Sequence, residues 1–263
     1  MDSAQHQKAR KRKLKHRFYV PAGRFQHPAE GHPMATLDAD ATHHLRNVLR
    51  LSAGASVILF DNSGQEYEGE IIESKPSQVK VQVLRVATPR VESSLRITLA
   101  QALLKGNAFD HLLTLCTELG CARFIPLFTG RTVVKINKAE AADRVKRWEK
   151  IVQEAAAQTG RVKVPLMEMP LDFKEQIERK PSGLKIILWE RGGSGQLKEI
   201  LEEGPVESIT LLAGPEGGFE QAEVKQAMDA GYKIWGLGPR ILRAENAGAI
   251  ALSLLEYQLG DMG

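Results

Sequence analysis

From Leu95 to the C-terminus the chain alternates apolar, strand-like runs with amphipathic helical segments, and this alternation constrains the fold more than any other feature. The strand-like runs are "LRITLAQALL", "CARFIPLF", "KVPLMEM", "LKIILWE", "SITLLAG" and "YKIWGLG". Between them lie "NAFDHLLTLCTELG", stopped by Gly120, "AEAADRVKRWEKIVQEAAAQTG", stopped by Gly160, and the shorter "FKEQIERK", "LKEILEEG" and "EQAEVKQAMDAG". Such a pattern predicts an α/β fold built on a parallel sheet with helices on both faces. The segment Leu237–Gln258 follows the last strand. Ala247, Ile250, Ala251, Leu254 and Leu255 recur there at helical spacing and predict one apolar face.

The first 90 residues read differently. "RFYV" opens a set of short strands. "ASVILFDNSGQEYEGEIIES" reads as two strands around the turn Asp61–Gly64, and "QVKVQVLRV" alternates with Val79, Val81 and Val83 on one face. These predict a small β-barrel over 18–88. One insert, "DATHHLRNVLRLSAG", predicts a short basic helix closed by Gly54. "ATPRVESS" (87–94) is a linker, and 95–263 forms the second domain.

Charge is concentrated at one end. Residues 1–17 hold seven Lys or Arg against Asp2, a segment charge of +6 in a chain whose net is +4. Such a run reads as a solvated, disordered arm able to hold phosphates without sequence preference. The two cysteines, Cys116 and Cys121, are too few for a disulfide framework or a metal cage and suggest reduced core thiols. No apolar run reaches the roughly 20 residues that span a bilayer, and the N-terminus has no apolar signal core. The expectation is a cytoplasmic protein away from membranes.

In a parallel α/β sheet, ligands bind beyond the carboxyl ends of the strands. Three glycine-bearing turns fall there, "LWERGGSG" (188–195), "LLAGPEGGFE" (211–220) and "GLGPRILRAEN" (236–246). None is a phosphate loop or a dinucleotide fingerprint. All seven histidines lie at or before His111, so this segment holds no histidine for a nucleophilic triad or metal site. Its available groups are Glu190, Glu216, Glu245, Arg240, Arg243 and Asn246. Arginine stays protonated and cannot serve as a base, but it can stabilise a developing anion. Backbone donors, arginines and carboxylates together suit group transfer to a nucleophile that must first lose a proton.

"LLAGPEGGFE" followed by "LGPRILRAENAGAIALSLL" closely resembles the RsmE family of 16S rRNA (uracil-N3) methyltransferases, within the SPOUT superfamily. "RFYVP" and "HHLRNVLRL" resemble that family's PUA-like RNA-binding barrel. "QALLKGNAFDHLLTLCTELG" and "RWEKIVQEAAAQTGR" resemble further motifs of its catalytic domain. The resemblance implies a C-terminal trefoil knot, S-adenosylmethionine as methyl donor with no metal, a homodimer, and 16S rRNA of the small ribosomal subunit as substrate. It implies a cofactor pocket lined by Leu237, Gly238, Ile241 and Leu242 and closed by Leu188, Glu190, Gly214, Glu216 and Gly217. Arg243 would stabilise the uracil anion while Glu216 or Glu245 assists proton removal. Arg17, His44, Arg46, Arg50, Lys105, Arg161 and Arg240 would face RNA.

The chain departs from the family pattern at "LRAENA", where "LRTETA" is common, and at "KGNAFD", where "KGDRMD" is common. Hydroxyl groups are thus missing at Ala244 and Asn246, and a basic side chain is missing after Lys105. Two alternatives stay open, a SPOUT enzyme with another RNA target and a non-catalytic ribosome-assembly protein.

Overall fold

A computed structural model describes residues 16–28, 31–190, 197–201 and 204–263. Residues 1–15 of the basic arm expected over 1–17, and residues 191–195 of the first glycine turn, lie outside the described residues; His16 and Arg17, expected in the arm, instead open the first strand. Contacts divide the chain into two units, Met1–Glu92 with Ala156–Val164, and Ser93–Ala155 with Pro165–Gly263.

The first unit is a mixed six-stranded sheet. Its strands are β1 (His16–Tyr19), β2 (Phe25–Gln26), β3 (Met34–Thr36), β4 (Ser56–Phe60), β5 (Glu66–Lys75) and β6 (Gln78–Ala87), in the order β1-β4-β5-β6-β3-β2. β1 runs parallel to β4, and the other pairs are antiparallel. The expected face of β6 is buried at Val79, Val81 and Val83. The run "SVILF" is buried on both faces of β4. Val57 and Leu59 pack with Phe18, Leu45 and Ile71, while Phe60 packs with Ala156 and Val162. β5 bulges twice, and at the first bulge a Cβ on Gly69 would lie 2.5 Å from Val81 Cγ1 and 2.6 Å from the Gln82 carbonyl. Only glycine fits there.

The insert forms α1 (Ala39–His43), whose N-cap Asp38 accepts from the Ala41 N–H at 2.8 Å, and then a widened turn over His44–Val48. Gly54 does not close it, contrary to expectation. The helical turns end at Leu49, and Arg50 takes φ 55°. Buried Leu45 anchors this exit by accepting from the Leu51 N–H, and the Gly54 N–H donates to the Ile71 carbonyl beside β5.

The second unit is an all-parallel sheet, as the alternation predicts. Its strands are β7 (Arg96–Ala102), β8 (Arg123–Phe128), β9 (Leu166–Met167), β10 (Leu171–Asp172), β11 (Leu184–Leu188), β12 (Ser208–Ala213) and β13 (Lys233–Trp235). The order is β10-β8-β7-β12-β11-β13, with β9 also beside β8. The helices are α2 (Ala108–Glu118), α3 (Lys138–Thr159), α4 (Phe173–Glu178), α5 (Leu197–Leu201), α6 (Gln221–Asp229) and α7 (Ala244–Leu259). Two path features matter for function. β12 inserts between β7 and β11, and α7 returns from outer strand β13 to pack on α2, β12 and β7.

α7 departs from the single apolar face expected of it. Gly248, Ala249, Ala251, Leu252 and Leu255 are buried, whereas Ile250, Leu254 and Tyr257 are exposed. The helix therefore has a buried small-residue face and a separate exposed apolar stripe. Gly248 is explained by the first. A Cβ there would meet Gln101 Oε1 at 3.1 Å and both Leu99 methyls at 3.4 Å. Cys116 and Cys121 are buried and unbridged. Burial, then the neighbouring Cys121, pushes the Cys116 thiol well above its ordinary range, which keeps it unreactive.

Candidate active site

Because the second sheet is parallel, the carboxyl ends of β7, β12, β11 and β13 open on one edge, in that spatial order. The turn after β12 lies between the ends of β7 and β11 and is tied at several points. Gly214 sits against the Phe219 ring, where a Cβ would come within 3.2 Å. The Gly218 N–H closes a tight turn onto the Pro215 carbonyl at 2.9 Å, with Gly218 at φ 66°. Below it, Gln101 is 1% exposed and its Nε2 donates to the Gly214 carbonyl at 3.0 Å and to that of Ala102 at 3.1 Å. A single buried amide thus joins the end of β7 to the start of this turn.

Glu216 is exposed, and its Oε1 accepts the Lys105 backbone N–H at 2.9 Å. It ties its turn to the segment after β7 and keeps a second oxygen for other work. The carboxylate of Glu190, just beyond β11, lies 3.4–3.5 Å from where a Cβ on Gly218 would stand, so these two turns meet. Leu188 is buried at the end of β11.

The segment after β13 is open. Gly238 takes φ 93°, a conformation that favours glycine, and a Cβ there would meet nothing within 4 Å. Leu237 and Leu242 are half-buried, and Ile241 is 89% exposed. An isoleucine so exposed beside open backbone suits a site completed by a ligand or a second chain. Arg243 is the N-cap of α7, and its largely exposed guanidinium stands 3.9 Å from the half-buried Glu245 carboxylate. Arg240 is exposed. The structure therefore pairs Arg243 with Glu245, and engages Glu216 with backbone instead.

Two of the residues expected to face RNA require correction. Arg17 Nη1 pairs with buried Glu66 at 2.9 Å, and its Nη2 donates to the carbonyls of Gly160 and Arg161. Arg161 is held by Glu92 at 2.8 Å, and the other oxygen of Glu92 accepts the Val162 and Lys163 N–H groups. Each arginine side chain is only 8% exposed. Glu66 is buried and Glu92 largely so, and carboxylates so placed require such partners, so both arginines are engaged within the first unit. His44, Arg50 and Lys105 are exposed and Arg46 is half-buried. His44 also meets the Phe18 ring edge-on at 6.1 Å. Val48, 61% exposed beside these basic groups, adds an apolar surface that the sequence did not single out.

Sequence reasoning also missed the loop after β8. Thr129–Thr132 is a tight turn closed by its own threonines, and it docks on the turn after β12 through Arg131 and on α6 through Gly130. Gln101 was missed as well, although a lone amide inside the apolar run "LRITLAQALL" is a visible signal. Among the described residues, no group of three or more His, Cys, Asp or Glu is arranged to hold a metal. None of the described helices is long and apolar enough to cross a membrane.

Comparison with known proteins bears directly on this edge of the sheet. Residues 91–256 match the model of an RNA methyltransferase domain, and residues 37–84 match that of an RNA methyltransferase PUA domain. The chain is 34% identical over 227 residues to the ribosomal RNA small subunit methyltransferase E of Synechocystis, covering 85% of this chain and 73% of that protein. It is 31% identical over 232 residues to the Bacillus subtilis protein of the same name, covering 86% and 91%. Among solved structures, the ribosomal RNA small subunit methyltransferase E of Neisseria gonorrhoeae bound to S-adenosyl methionine superposes with a TM-score of 0.84 at 30% identity, covering 95% of this chain and 100% of that one.

Proposed function

The chain belongs to the RsmE family of ribosomal RNA methyltransferases, and from that premise we propose how its site works. It is an S-adenosylmethionine-dependent methyltransferase of 16S rRNA, and its target is N3 of a uridine in the small ribosomal subunit. Family membership carries this reading, together with glycine turns at the carboxyl ends of β12 and β13 on the same edge of the sheet.

The residues fit the donor. Gly214, Gly217 and Gly238 let a ligand approach the backbone, and Leu188, Leu237, Ile241 and Leu242 offer apolar surface to an adenosine. The donor carries no phosphate, consistent with a site that has no phosphate loop. Glu190 and Glu216 flank the same turns and would bind its polar groups. When bound, S-adenosylmethionine supplies an electrophilic methyl group on a sulfonium sulfur.

The protein's own task concerns the uracil. N3 carries a proton at neutral pH and becomes nucleophilic once that proton leaves. Arg243, exposed at the mouth of the site, stabilises the resulting anion. Glu245, beside Arg243, is the better placed carboxylate to take the proton, because Glu216 is partly engaged by the Lys105 backbone. Arg46, Arg50, Lys105, Arg240 and His44 hold the RNA, mainly through phosphates.

The path from outer β13 back to α7 over β7 and β12 supports a trefoil knot, a rare exception to the usual avoidance of threading. The exposed stripe Ile250, Leu254 and Tyr257 supports a homodimer. The protein would act in the cytoplasm, where small subunits mature. Calorimetric titration of the purified chain with S-adenosylmethionine tests the site. Saturable binding is expected, and failure to bind would favour a non-catalytic assembly protein.

A further inference from the structure

The loop after β8 is not one of the three glycine turns, yet it reaches the one after β12. Its backbone is fixed internally. The Thr132 N–H donates to the Thr129 carbonyl at 3.0 Å, the Thr129 N–H donates to Thr132 Oγ1 at 3.0 Å, and the two hydroxyls lie 2.9 Å apart. It is also fixed externally, because the Gly130 N–H donates to Glu223 Oε1 at 2.8 Å while Glu223 Oε2 accepts the Glu220 N–H at 2.8 Å. Glu220 and Glu223 are the capping pair of α6, so the loop stands on the helix that follows the glycine turn.

From this base Arg131 extends across the turn. Its Nη1 donates to the Gly217 carbonyl at 2.8 Å. Its stem lies flat on Gly217, with Arg131 Cβ 3.3 Å and Cδ 3.4 Å from where a Cβ would stand. The peptide between Gly217 and Gly218 is thereby held at both ends, its carbonyl by Arg131 and its N–H by the Pro215 carbonyl at 2.9 Å. A Gly-Gly peptide is the one in this turn with least intrinsic resistance to flipping, because neither residue has a Cβ to forbid the alternative dihedrals.

We infer that Arg131 is a positioning residue for the cofactor turn: by fixing the Gly217–Gly218 peptide it selects the turn conformation that receives S-adenosylmethionine. This rests on the function proposed above. It adds the end of β8 to the strand ends that shape the cofactor turn. The guanidinium acts through backbone geometry, so its charge matters less than its reach.

Two measurements on Arg131→Ala and Arg131→Lys test this. Hydrogen exchange of the 214–219 segment in the ligand-free protein should quicken in Arg131→Ala. Calorimetry should show S-adenosylmethionine affinity falling about tenfold, the scale of one hydrogen bond from a charged donor. Turnover at saturating donor and the melting temperature should stay near wild type, since Arg131 is exposed. The Arg131→Lys variant keeps a donor for the one carbonyl and should recover most of the affinity. Unchanged exchange and unchanged affinity, with the wild type binding normally, would overturn the inference and leave the functional reading intact. So would a change only in the Michaelis constant for RNA. A parallel loss of melting temperature and affinity that lysine does not rescue would show a merely structural role, and would overturn it too. A wild type that binds no donor while Arg131→Ala quickens exchange would refute the functional reading, and with it the assignment to a cofactor turn.

Discussion

At the scale of single residues, the account turns on what faces the uracil and what the backbone can tolerate. Arg243→Ala should lower turnover about a hundredfold, the usual cost of removing one donor to a developing anion, with donor affinity little changed. Near-normal turnover in a steady-state assay would remove Arg243 from that role. Gly248→Ala sets two effects against each other. Alanine gains about 1 kcal/mol of helix propensity over glycine. Its methyl, however, meets Gln101 Oε1 at 3.1 Å, and Gln101 is pinned by its bonds to the Gly214 and Ala102 carbonyls. Overpacking against an immobile neighbour costs about 1–3 kcal/mol, so the clash wins and a net loss of about 1 kcal/mol is expected in denaturant unfolding. An unchanged or raised stability would show that Gln101 can yield.

At the scale of elements, periodicity revealed most helices and strands but not which surface each would face. The longer strands of both sheets follow apolar runs that are visible in the chain, whereas the two- and three-residue strands β2, β3 and β10 do not, and Gly120 and Gly160 stop helices where expected. Periodicity predicts one apolar face for α7 because it cannot separate apolar residues that reach the core from those left exposed. Ile250, Leu254 and Tyr257 recur at i, i+4 and i+7, so they line one exposed side. Leu254→Glu with Tyr257→Glu should convert a dimer to a monomer in sedimentation velocity at low micromolar concentration. A wild type that sediments as a monomer, or a variant still dimeric, would contradict the stripe as an interface. The buried arginines failed for a related reason. Composition marks Arg17 and Arg161 as basic, but only their pairing with Glu66 and Glu92 shows that they are internal. Arg131 escaped notice because it acts on the carbonyl of a residue far along the chain, and such a bond leaves no local pattern. Gln101 had a local signal, a lone amide in an apolar run, but nothing in the sequence marks its distant partner, the Gly214 carbonyl.

At the scale of the whole molecule, the division into a mixed sheet and a parallel sheet was legible near residue 90, where alternating short strands give way to strand and helix. The return of residues 156–164 to the first unit was not, since it depends on contacts of Phe60, Glu66 and Glu92 that no periodicity encodes. The family was legible because the glycine-turn motifs that carry the resemblance are each contiguous in sequence. The most direct test uses small ribosomal subunits from cells lacking this activity, incubated with the purified protein and methyl-labelled S-adenosylmethionine, then digested to nucleosides. The account predicts label in 3-methyluridine at one site of 16S rRNA. Label in a 2′-O-methylated nucleoside, or no label from a protein that still binds the donor, would contradict it.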